Sequence, residues 1–192
     1  MPRWEPDARE RLVRAALDLF TEQGYDNTTV AQIAERAGLT KSTFFRHFPD
    51  KRDVLAAGQD TLCRLLADGI AVAPGSATPL EAVAAALEAA AAAFAPGRRD
   101  LGAKVEAVIA ASSELRQRDA LKQAGLAAAM TQALLKRGVP DPAASLAAEF
   151  GVLAFQRALA RWSDPANQRE LGELARQSLG ELQAASAALS GR

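Results

Sequence analysis

Along most of this 192-residue chain, apolar residues return every three or four positions. That is the spacing of amphipathic helices, and no segment shows the period-2 alternation of a half-buried strand. Leu12, Ala16, Leu19 and Phe20 form one face of a helix over 7–23, with Arg9, Arg11, Arg14, Asp18 and Glu22 opposite them. Gly24 ends it, because glycine adopts the left-handed cap conformation at low cost. Thr29 to Gln32 has the form of a capping box, and Val30, Ile33, Ala34 and Ala37 follow at i, i+3, i+4 and i+7 of a short helix that Gly38 stops. Leu39 anchors the turn, and Thr40 caps a second short helix carrying Phe44, His47 and Phe48 before Pro49 breaks it. Asp50 caps a fourth helix, predicted to run on through Val54, Leu55, Leu62, Leu65, Leu66 and Ile70 to about position 71. Further helices are predicted over 79–94, 100–112, 114–137, 142–163 and 167–189. Their separators are the turn-rich stretch 73–79, Pro96-Gly97, the serines 112 and 113, the run 138–142 and the segment 163–165. The fold class predicted is all-α, with about nine helices.

Composition narrows the functions this architecture can serve. Lysine plus arginine equals aspartate plus glutamate, so the chain is formally neutral, and any binding of nucleic acid has to come from a local patch. No run of apolar residues is long enough for a membrane span, and the N-terminus lacks the apolar core of a signal peptide. Cys63 is the single cysteine, which rules out an intrachain disulfide, and the chain reads as cytoplasmic. His47 is the single histidine, so a zinc site of several Cys and His ligands has no donors, and a nucleophile–histidine pair would have to use this one residue. No glycine-rich phosphate loop appears. The reading is a protein without catalytic residues, metal or cofactor.

The two short helices, joined at a glycine turn and preceded by a longer supporting helix, have the form of a helix-turn-helix. In such a unit the second helix enters the major groove, so it must turn polar donors outward and apolar residues inward. Lys41, Ser42, Thr43 and Arg46 can face out while Phe44 and Phe48 face in. Between positions 36 and 52 the chain carries Arg36, Lys41, Arg46, Lys51 and Arg52 against a single acid, Asp50. Lys41, Ser42, Thr43 and Arg46 are therefore candidates for base contacts, and Thr28, Thr29, His47 and Lys51 for phosphate contacts that set register.

From Ala15-Ala16-Leu17-Asp18-Leu19-Phe20 and Gly24-Tyr25, through Thr28-Thr29-Val30, Ile33-Ala34 and Ala37-Gly38-Leu39, to the run from Thr40 to Phe48 and on to Lys51 and Leu55, the chain resembles the N-terminal domain of the TetR (tetracycline-repressor) family. The likeness is ungapped over 9–55. It implies a helix-turn-helix DNA-binding domain over 1–52, including the start of a linking helix, and a helical effector-binding and dimerisation domain over 53–192. It also implies a homodimer, a palindromic double-stranded operator and a small-molecule effector, hence a repressor released from DNA by that effector. The family commonly has tyrosine where this chain has Phe45, whose ring can pack on DNA but cannot donate a hydrogen bond to phosphate.

The second domain offers weaker signals. Leu66, Phe94, Val108, Met130 and Phe155 are the candidates for an effector pocket. The last two helices are expected to pair with their copies as a four-helix bundle. Phe150 and Leu153 are its contacts on one helix, and a seam of Leu171, Ala175, Ser178, Leu182, Ala185 and Leu189 on the other. The unbroken helix over 51–71 is the expected lever between the domains. Two alternatives stand beside this reading: an activator or a regulator controlled by a protein partner, and a helical adaptor or enzyme that carries the motif.

Overall fold

The computed structural model describes residues 7–94, 99–189 and 191. Among them are nine α-helices, one short 3-10 helix and no strand: α1 (Ala8–Gln23), α2 (Val30–Arg36), α3 (Lys41–His47), the 3-10 helix Lys51–Ala56, α4 (Gln59–Val72), α5 (Pro79–Ala92), α6 (Arg99–Ala111), α7 (Ser113–Lys136), α8 (Asp141–Ser163) and α9 (Leu171–Leu189). The all-helical expectation holds. The Pro96-Gly97 separator lies outside the described residues.

The chain forms two compact units, one of residues 1–57 with 101–121 and the other of 58–100 with 122–192. In the first, α1 packs against α2, α3 and the 3-10 helix. The core there is built on large side chains: Leu12, Leu19, Phe20, Tyr25, Ile33, Phe44, Phe48 and Val54, joined by Val108 of α6 and Leu115 of α7. Burying a phenylalanine such as Phe44, which has no exposed surface, contributes about 1.5–3 kcal/mol. In the second unit α4 packs on α5, α5 on α8 and α9, and α8 on α9. Alanine dominates that core, and helices approach closely where side chains are missing. A Cβ on Gly69 would stand 2.6 Å from Ala86 Cα, and one on Gly151 2.7 Å from Val83 Cγ1.

The helix expected over 51–71 is two elements. The 3-10 helix ends at Ala56, and α4 begins after Gly58, whose φ of +83° glycine reaches without strain. The cause lies upstream: Val54 is buried and Asp53 Oδ1 accepts a 2.6 Å bond from Arg118 Nη2, so the segment is anchored before a full α-helical turn can continue. An unbroken lever over that range is therefore absent. The last helix also starts later than its periodicity suggests, at Leu171, because Asp164 and Asn167 accept backbone N–H bonds from Ala166 and Arg169 and hold 164–169 as turns.

Candidate nucleic-acid interface

The turn between α2 and α3 is set by local chemistry. Thr29 caps α2: its hydroxyl accepts from Gln32 N–H while the Gln32 side chain accepts from Thr29 N–H at 2.8 Å, a complete capping box. At the other end Gly38 takes φ +65°, its N–H donates to Glu35 C=O at 2.9 Å, and Leu39 N–H donates to Ala34 C=O at 2.8 Å. This pair of bonds is the Schellman closure, which satisfies the last carbonyls of the helix. Arg11 of α1 adds a 2.6 Å bond to Ala37 C=O. Thr40 then caps α3 by accepting from Thr43 N–H at 3.1 Å.

On α3 the inner face holds Phe44, fully buried, tilted against Phe48 with ring centroids 5.6 Å apart. Lys41, Ser42, Phe45 and Arg46 are exposed, and Thr43 is half-buried with its hydroxyl 3.0 Å from that of Thr40. Neither Lys41 nor Arg46 has an ion-pair partner among the described residues. Two cations, a hydroxyl and a ring thus share one outward surface, fixed from behind by an aromatic anchor. Phe45 meets Phe44 edge-on at 5.6 Å and is still 55% exposed, unusual for a large aromatic ring.

The residues read as phosphate contacts divide. Thr29 is exposed, although its hydroxyl is engaged in the capping box. Thr28 is 1% exposed and donates to Gly24 C=O at 2.8 Å, so its hydroxyl belongs to the loop rather than to a surface. Lys51 Nζ donates to Tyr25 C=O at 2.7 Å and Thr28 C=O at 2.9 Å, and lies 4.1 Å from the centre of the Tyr25 ring. An ammonium has three donors, and two are taken up inside the fold. His47 is half-buried, and its Nε2 is enclosed without a partner among the described residues. The basic cluster is also smaller than its composition suggests. Arg36 makes two bonds to Glu22, at 2.9 and 2.8 Å, and this bond holds the Glu22 carboxyl below its ordinary value. Arg52 lies 3.8 Å from Asp50 and 3.6 Å from Glu114.

Sequence reasoning missed the cluster around Tyr25. Its hydroxyl donates to Glu114 Oε1 at 3.1 Å, and its ring meets Phe20 edge-on at 5.2 Å. Burial, then the bond to Glu114, raises the phenol above its ordinary value. The partners are separated by 89 positions, which no local pattern reveals.

The other candidates fall in different places. Val108 lies in the first unit's core, whereas Leu66, Met130 and Phe155 lie in the second's, and Phe94 packs edge-on against Phe155 at 5.7 Å. Phe94 also lines a recess of about 300 Å³ with Trp162, Glu88, Arg99 and Glu170. Of the leucines expected at a dimer contact, Leu171 and Leu182 are buried within the chain, because α9 turns that seam onto α8 and α5. Leu153 and Leu189 are exposed and Phe150 is half-buried.

Residues 12–57 match the family described as bacterial regulatory proteins, tetR family. The HTH-type transcriptional regulator TcmR of Streptomyces glaucescens is 40% identical over 81 residues, which is 42% of this chain and 36% of that protein, so the likeness spans about a third of the relative's length. Among solved structures, AmtR of Mycobacterium smegmatis is 27% identical, with a TM-score of 0.54 over 99% of this chain and 97% of that one. A putative TetR-family regulator from Syntrophomonas wolfei, 19% identical, reaches 0.63 over 94% and 95% and has the same fold. The segment that builds the helix-turn-helix of this chain thus matches the tetR family of bacterial regulatory proteins.

Proposed function

We propose that the chain is a dimeric, sequence-specific DNA-binding regulator of transcription, most simply a cytoplasmic repressor with a palindromic operator. The observation that carries this is the outward surface of α3, where Lys41, Ser42 and Arg46 are exposed, the two cations have no ion pair among the described residues, and buried Phe44 fixes their backbone. Arginine and lysine at that position match the paired acceptors of guanine, at about 1–3 kcal/mol of discrimination for each good contact. Thr29 and His47 supply phosphate contacts beside them, with Phe45 against sugar or a thymine methyl.

An exposed stripe on α8 supports the dimer. Ala143, Leu146 and Leu153 are exposed around half-buried Phe150, at alternating steps of three and four along one face that exposed Arg157 and Ala160 continue. On α9, exposed Gly180, Ala184 and Ala187 make a small-residue face that a second copy can approach closely. A palindromic operator would require the two α3 helices of such a dimer to stand about 34 Å apart, one turn of DNA. A small-molecule effector suits the recess beside Phe94 and Trp162, whose volume is at the lower end for ligand sites. It would release DNA by no more than its differential affinity for the DNA-incompetent form.

The test is enrichment of duplexes from a random pool by the wild-type chain, beside a gel shift with the DNA upstream of its own gene. A palindromic duplex bound at two protomers per site is the expected result. A Leu146→Glu, Leu153→Glu variant should sediment as a monomer and lose that duplex. Failure of the wild type to enrich any sequence contradicts the reading and leaves the helical adaptor or enzyme.

A further inference from the structure

We propose that Glu114, on the first turn of α7, is a positioning residue for the DNA-reading surface: by accepting from Tyr25 it fixes the loop before α2 against the segment after α3. The inference rests on the DNA-binding reading above and adds to it a control point outside the helix-turn-helix.

The geometry is a grip on both sides of α2 and α3. On the upstream side, Tyr25 is buried, and its hydroxyl donates to Glu114 Oε1 at 3.1 Å. On the downstream side, Arg52 Nη1 lies 3.6 Å from the same oxygen, and one turn further along α7 Arg118 donates to Asp53 at 2.6 Å. Leu115, between them, is fully buried in the core that also holds Phe44 and Tyr25. Lys51 closes the ring: its ammonium rests on the Tyr25 face and joins the carbonyls of Tyr25 and Thr28. Lys51 therefore acts here as an internal tie between the two sides rather than as a free phosphate ligand. The loop it holds runs directly into Thr29, the cap of α2, and through the Schellman turn into α3.

Charge and position predict opposite signs, which makes the role testable. Glu114 is an acid in a unit that binds a polyanion, so on electrostatics alone its removal strengthens DNA binding. As a positioning residue, its removal weakens binding. Glu114→Gln separates the two again, because it discards the charge and keeps an acceptor for the Tyr25 hydroxyl.

The experiment uses the full chain and the duplex it enriches. Affinity is measured over a range of salt for the wild type, Glu114→Ala, Tyr25→Phe, the double variant and Glu114→Gln, with a thermal melt of each. Glu114→Ala and Tyr25→Phe should each lose about fivefold in affinity, the scale of one net hydrogen bond, and the double variant no more than the weaker single. The slope of log affinity against log salt should stay unchanged, since no phosphate contact is removed. Glu114→Gln should restore wild-type binding. Tyr25→Phe preserves the ring and its packing, so the test survives if Glu114→Ala fails to fold. Wild-type or tighter binding by Tyr25→Phe and Glu114→Ala overturns the inference, as does a change in melting temperature with no change in affinity. A wild-type chain that enriches no duplex overturns the DNA-binding reading itself, which is a different failure.

Discussion

In the first unit Phe20, Tyr25, Phe44 and Phe48 fill the core, and named polar bonds fix each turn; in the second, alanines and glycines let helices come into near backbone contact. The first arrangement holds a few side chains at defined places on a surface, as a helix that reads base edges requires. The second spreads its stability over many small contacts, with a recess of about 300 Å³ beside Phe94. Large anchors make position explicit in sequence, whereas small-residue packing leaves it implicit.

The comparison can be broken first at its anchors. Phe44→Ala should cost about 3–5 kcal/mol in denaturant unfolding, the range for a fully buried aromatic, and should abolish operator binding before the second unit melts. In the alanine-packed unit the damaging change is addition rather than removal. Gly69→Val should cost about 1–3 kcal/mol by overpacking against Ala86, read in the same titration, while Gly180→Ala, with open space around it, should leave monomer stability near wild type. A smaller effect sharpens the interface: Phe45→Tyr supplies a hydroxyl to an exposed ring and should tighten operator binding by about 1 kcal/mol, measured by equilibrium binding.

The smallest effect is a pH signature. Tyr25 is the only tyrosine, so tyrosinate absorbance reports on it alone. Burial and the Glu114 bond raise its folded value above the ordinary value of 10.0, so the folded state holds the proton longer than the unfolded state. Its contribution to stability is then complete below pH 10 and falls as pH rises beyond it. An absorbance titration should show ionisation delayed past that point in the wild type and shifted downward in Glu114→Ala.

The division between legible and hidden features follows the same contrast. Thr29, Gly38 and Thr40 act as the sequence suggests because caps and turns are local: a hydroxyl, a three-residue reach and a positive φ suffice. Phe44 inward and Lys41 and Arg46 outward follow from helical period alone. Hidden were the features that depend on distant partners. Lys51 reads as a surface cation until the carbonyls of Tyr25 and Thr28 are brought beneath it, and Thr28 reads as exposed until the loop folds over it. Glycine in a helix interior costs about 1 kcal/mol relative to alanine, but the stretch 51–71 holds both Gly58 and Gly69 and breaks only at Gly58, so residue type alone did not mark the place. The leucine seam of α9 was correctly seen as apolar, but period cannot say whether a seam faces the chain's own helices or a second copy, and Leu171 and Leu182 face inward.

The most direct test of the central claim, that the outward face of α3 reads sequence, is the affinity of wild type and Lys41→Ala, Arg46→Ala for the enriched duplex and for a scrambled duplex of equal length. The account predicts that the wild type prefers the enriched duplex strongly and that the variant, with an unchanged melt, loses that preference while retaining weak binding to both. A variant that discriminates between the two duplexes as well as the wild type does would contradict it.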